Sequence, residues 1–116
     1  MNSFTLFAVG QLARSPGISQ KGSVSFARFC IVGSDSEIID NKVKERFINM
    51  WFVAFGEIGD ALIKNARKGD QLFLEATAIP DDWNGLPMEG MGNLVYEVIC
   101  WRFGARRPPP EEVTES

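Results

Sequence analysis

Residues 45–69, ERFINMWFVAFGEIGDALIKNARKG, change their hydrophobic period partway along, and that change decides the fold. Over 45–55 the residues alternate, with Arg46, Ile48, Met50, Phe52 and Ala54 on one side and Phe47, Asn49, Trp51, Val53 and Phe55 on the other, which is the period of a strand. From Gly56 onward Ile58, Ala61, Leu62, Ile63 and Ala66 recur near helical spacing. Arg67 and Lys68 suit the negative end of a helix, and Gly69 is placed as its cap. A long strand therefore runs straight into a helix, and both strand faces are apolar enough to need a partner.

Working outward, residues 4–9 (FTLFAV) alternate and end at Gly10, which reads as a strand with a bend. Residues 15–23 are rich in turn formers and predict a mobile loop. Residues 24–32 predict a second strand and 33–41 a second loop. Beyond the helix, residues 71–78 alternate again, with Leu72, Leu74 and Ala76 opposite Phe73, Glu75 and Thr77, until Pro80 interrupts the ladder. Residues 94–103 form the last predicted strand, joined to its predecessor by a flexible connection. Three strands, a helix and two strands predict an all-β OB-fold, a five-stranded barrel with one α-helix between strands 3 and 4. The domain is expected over 1–104. Residues 105–116, with Pro108-Pro109-Pro110 and three glutamates, have little to bury and predict a disordered Pro/Glu tail.

The 116 residues suffice for one core, and a hydrophobic share of 45% with 23% charged residues is ordinary for a globular chain. No apolar run approaches the roughly 20 residues of a membrane helix, and no leader sequence opens the chain, so a cytoplasmic protein without membrane contact is expected. The sequence has no histidine. That removes the usual general base and the commonest metal ligand, and neither a carboxylate cluster nor a glycine-rich phosphate loop replaces it. No enzyme, no cofactor and no metal are therefore expected. Cys30 and Cys100 are expected to be buried reduced thiols.

The net charge of −3 conceals a division. Arg14, Lys21, Arg28, Lys42, Lys44 and Arg46 give residues 1–56 a net +2, whereas 57–116 carry −5. A polyanion should thus meet the first half of the sheet. The same region carries the aromatic stripe: if Met50, Phe52 and Ala54 fill the barrel, Phe47, Trp51, Val53 and Phe55 project outward, with the three aromatics about 13 Å apart, a spacing that lets separate bases stack. Phe73 falls on the same outward side of its strand. Trp83, between Asp82 and Asn84, sits at a loop tip where a core role is hard to arrange, and is either a base contact or a subunit contact. Trp101 reads as structural.

These residues are similar to the bacterial single-stranded DNA-binding protein family over about residues 3–104. The resemblance is carried by LFAVGQL at 6–12, ARFCIVGSDS at 27–36, WFVAFG at 51–56, Arg67-Lys68-Gly69, DQLFLE at 70–75, and Trp83-Asn84. It implies an OB-fold that binds single-stranded DNA by aromatic stacking and cationic contacts, usually as a homotetramer, in DNA replication, recombination and repair. Phe55 and Trp83 match base-stacking positions, and Phe73 falls where an exposed aromatic is common. Glu37 and Asn49 stand where the family commonly has aromatics, and Asp81-Asp82 where it tends to be basic. Trp51, on the same strand face as Asn49, is expected to substitute. The ending at Glu115-Ser116 lacks the family's terminal phenylalanine, which puts recruitment of repair proteins by an acidic tail tip in doubt.

The competing reading is an OB-fold assembly module, related to primosomal replication proteins, whose aromatic face is mainly a protein interface. Homo-oligomerisation is expected under either reading, a tetramer first and a dimer second, because apolar residues occupy both strand faces and Phe4, Phe7, Trp101 and Phe103 add to the surplus.

Overall fold

The alternation in the sequence becomes six strands and one helix in the computed structural model, which describes residues 3–83 and 94–105. β1 is Thr5–Leu12, β2 Gly17–Lys21, β3 Val24–Ile39, β4 Lys42–Ala54, α1 Gly56–Asn65, β5 Gln71–Pro80 and β6 Leu94–Phe103. The helix thus follows the fourth strand rather than the third, because residues 17–21, expected as loop, pair with β3 from Gly17↔Arg28 to Lys21↔Val24. Turn-forming residues are abundant there, yet only Gly22 and Ser23 are needed to connect the two strands.

A second correction concerns residues 33–41. Instead of a loop, β3 and β4 continue as one antiparallel ribbon, paired from Ala27↔Ala54 to Ile39↔Lys42. Its tip is Asp40-Asn41, both left-handed at φ 54° and 64°, the backbone that Asn and Asp tolerate in a two-residue hairpin turn. A bidentate contact between Arg46 and Asp35, at 3.0 and 2.9 Å, ties the strands together.

The strands run in the order β1-β5-β6-β4-β3-β2, and β1 also pairs with β3 at Gln11↔Val32 and Leu12↔Ile31. The sheet therefore closes on itself in a ring, with β2 lying outside on β3. Gly10 permits the closure, since a Cβ there would lie 2.5 Å from the carbonyl oxygen of Val32.

Alternate residues point into the ring. Leu12, Phe29, Phe52, Leu72, Leu74 and Val98 are buried there, together with Leu62 from α1. Phe29 and Phe52 stack at 5.7 Å and 18°. Trp101 and Phe103, both counted in the apolar surplus, are half-buried against this core and meet edge-on at 5.0 Å, which fits the structural reading of Trp101. Phe4 and Phe7 remain exposed. Cys30 is buried as expected; Cys100 is exposed, near Glu75 at 3.9 Å.

α1 begins at Gly56, whose φ of 59° only glycine adopts readily. It stops at Asn65, so Arg67 and Lys68 lie beyond its last turn. The backbone is redirected there because the buried Asp70 carboxylate accepts the Arg67 N–H at 3.0 Å and Ser15 Oγ accepts that of Lys68 at 3.1 Å. Among the described residues no helix is long and apolar enough to cross a membrane, and no group of three metal-ligating side chains converges.

Candidate nucleic-acid interface

The outer face of the β3–β4 ribbon is built by register. Arg28↔Val53, Cys30↔Trp51, Val32↔Asn49 and Ser34↔Phe47 stand side by side on it. Phe47 is 68% exposed and Trp51 36%. The Arg28 guanidinium lies 4.0 Å above the Trp51 ring, a cation–π contact that fixes both side chains. Arg28 Nε is buried and has no hydrogen-bond partner among the described residues.

Val53 departs from the expected stripe. It is fully buried, in a second apolar cluster with Phe26 and Val95. Phe55, just past the end of β4, packs on this cluster beside Trp83, which follows β5. The Phe55 and Trp83 rings meet at 4.9 Å and 74°, and Phe26 approaches them at 5.5 and 6.1 Å. Both side chains are half-buried, so they form a supported aromatic corner rather than free platforms. Phe26 was not singled out by sequence reasoning, although alternation along 24–32 places it on the same side as Arg28.

The six expected cations divide. Arg14, Lys42 and Lys44 are exposed. Lys42 and Lys44 oppose Ile39 and Glu37 on the other face of the ribbon from Phe47 and Trp51, because even-numbered β4 residues share the core side. Arg46 is held by Asp35 and, at 3.6 Å, by Glu37; the hydrogen bond and charge of Asp35 raise its pKa further above the ordinary arginine value. Lys21 is buried, with its Nζ donating to the carbonyl of Asp81 and lying 4.8 Å from the Trp83 ring centroid. It does not stand open to a phosphate.

Phe73 is brought to a different surface. On the outer side of β5 it lies between Val9 and Arg102, with the Arg102 guanidinium 4.5 Å over its ring. A cavity of about 270 Å³ beside it is lined by Phe7, Val9, Glu75 and Cys100 as well. Six residue steps along β5 separate it from Ile79, which packs on the Trp83 cluster, a distance of about 20 Å along the strand. Asn84 and the rest of the β5–β6 connection lie outside the described residues, as do 106–116 of the expected tail.

No family model and no curated protein sequence matches the chain. Solved structures do. The chain is similar to a deletion mutant of the single-stranded DNA binding protein from Thermus aquaticus, at TM-score 0.67 and 14% identity, over 89% of this chain and 51% of that one. It therefore spans about half the length of that protein. It is similar also to the Plasmodium falciparum SSB in complex with ssDNA, at 0.64 and 17% over 87% and 94% of the two chains. A third is Rim1, a mitochondrial single-stranded DNA binding protein of S. cerevisiae, at 0.64 and 14% over 93% and 100%. At such identities the likeness shows the fold, which this chain shares with single-stranded DNA binding proteins.

Proposed function

We propose that this chain is a diverged OB-fold member of the single-stranded DNA-binding protein family. It binds single strands without sequence choice and protects them in replication, recombination and repair, without enzymatic activity of its own, in the cytoplasm. One observation carries the reading: the corner of Phe55 and Trp83, 4.9 Å apart, continues along one face into the Trp51–Arg28 stack and Phe47. Flat rings interleaved with cations are what sequence-tolerant binding of single strands needs, since every base offers a π-face and every nucleotide a phosphate. Arg28 is the cation on this face. Lys42 and Lys44, exposed on the other face of the ribbon, would meet the phosphates of a strand that wraps around it, and Arg14 is exposed as well. Phe73 with Arg102 offers the same pairing on the β1–β5–β6 surface, for a strand that continues there.

The test uses the three tryptophans of the chain. Oligo-dT is expected to quench their emission, duplex DNA to bind far more weakly, and the logarithm of affinity to fall with the logarithm of salt at about −0.7 per phosphate contact. Equal affinity for duplex, or no quenching, would overturn the reading.

The exposed apolar residues support self-association as a tetramer, or failing that a dimer. Phe7 is 74% exposed and Val9 lies beside it across from Phe73, an unpartnered surface of the kind that marks an interface. Sedimentation at micromolar concentration should give a single species of about four times 12.9 kDa; a monomer would refute it. The same surface favours the second reading, an assembly module of primosomal type. That reading would be upheld by oligomerisation with no tryptophan quenching.

A further inference from the structure

We propose that Lys21 is a positioning residue for Trp83, holding the indole in place for a base, and is not a phosphate ligand. The proposal rests on the DNA-binding reading and deepens its site. Lys21 is the last residue of β2, paired with Val24, and is 5% exposed. Its ammonium makes two contacts to the same turn of chain 60 residues away: Nζ donates to the Asp81 carbonyl and lies 4.8 Å from the Trp83 ring centroid. One contact fixes the backbone of the turn and the other fixes the ring. A hydrogen bond from the backbone N–H of Trp83 to the Pro80 carbonyl at 3.2 Å closes the turn itself.

The indole is thereby held by an ammonium and by the rings of Phe55 and Phe26, at 4.9 and 6.1 Å. A cation near an aromatic ring is held more strongly where water is excluded, and burial of Lys21 meets that condition. A side chain ordered before binding loses less freedom when the ligand arrives. The half-buried indole retains the exposure a base needs, whereas the ammonium has almost none for a phosphate. The turn it holds carries Asp81 and Asp82, two negative charges in sequence beside Trp83, which weakens any pull of this region on a polyanion.

The two roles separate by salt dependence. Lys21→Met keeps the aliphatic stem and removes both the charge and the donor; Lys21→Arg restores them. Oligo-dT affinity is measured across a salt series, and acrylamide quenching is read in a chain whose only tryptophan is Trp83, with Trp51→Phe and Trp101→Phe. Lys21→Met should bind about tenfold more weakly with an unchanged salt slope, Trp83 should become more accessible to acrylamide, and Lys21→Arg should recover both. A slope reduced in magnitude by about 0.7 would make Lys21 a phosphate contact and overturn the proposal. Unchanged acrylamide quenching would overturn it too. Lys21→Gln, which keeps a donor for the Asp81 carbonyl, gives the same slope readout should methionine not fold there. If the parent chain shows no oligo-dT binding, the functional reading fails by itself, while acrylamide quenching still decides whether Lys21 holds Trp83.

Discussion

Phe52→Ala is expected to cost about 3–5 kcal/mol of stability. Phe52 is fully buried at the centre of the ring of strands, stacked on Phe29 at 5.7 Å and 6.1 Å from Tyr96. Its neighbours are strand residues fixed by pairing, Phe29 directly opposite it in register, so the site cannot collapse around alanine without straining the ladder. The cavity then persists, and its cost adds to the lost transfer free energy. Against the 5–15 kcal/mol typical of a small domain this is a large fraction. With a urea slope of about 1–3 kcal/mol/M, the unfolding midpoint should fall by about 1–5 M. Met50→Ala, on the same strand face but half-buried, should shift it less. A loss below about 1 kcal/mol for Phe52→Ala would mean that the ring is not closed around this side chain.

The placement of Phe52 was legible because side chains alternate along a regular strand, and the sequence carries that period from Met50 through Ala54. The start of α1 was legible for the same reason, as the period changes at Gly56. What escaped was set by contacts between distant residues. Residues 33–41 are polar enough to read as loop, yet Asp35 finds Arg46 and the Asp40-Asn41 turn returns the strand. Composition cannot distinguish a solvated ribbon from a solvated loop, since neither has a buried face. Arg67 and Lys68 fit a helix end electrostatically, but Asp70 and Ser15 capture their N–H groups.

The candidate site shows the same limit. Trp83, Phe55, Trp51 and Phe47 were recognisable as residues that an ordinary core would not need there, and Arg28 as a cation among them. Their mutual arrangement was not. Nothing local says that Val53 is covered by Phe26 and Val95, or that Lys21 spends its charge on a turn 60 residues away. Lys42 and Lys44 were counted with the aromatics because they are near in sequence, and strand parity puts them on the opposite face. Charge sorted by position in the chain overstated the cations available to a polyanion on this face.

Trp83→Ala is expected to weaken oligo-dT binding by about 1–3 kcal/mol, the range for a lost stacking platform. The salt slope should stay unchanged, because an indole contacts no phosphate charge. Phe55→Ala should lower affinity in the same range, but through two routes that the geometry joins: it removes a ring, and it removes the edge against which Trp83 is set at 4.9 Å. The two substitutions should therefore not add. Residues in contact show coupling of about 0.5–3 kcal/mol in double-mutant cycles, so the double variant should lose less than the sum of the singles. Phe55 also packs on Phe26 and the cluster around Val53, and its removal should lower the melting temperature more than that of Trp83. The measurement is a titration of the four proteins of the cycle, with a thermal melt of each. Unchanged affinity in a folded Trp83→Ala protein would assign the corner to a subunit contact. Strictly additive losses would mean that Phe55 and Trp83 act on separate bases, with no mutual support.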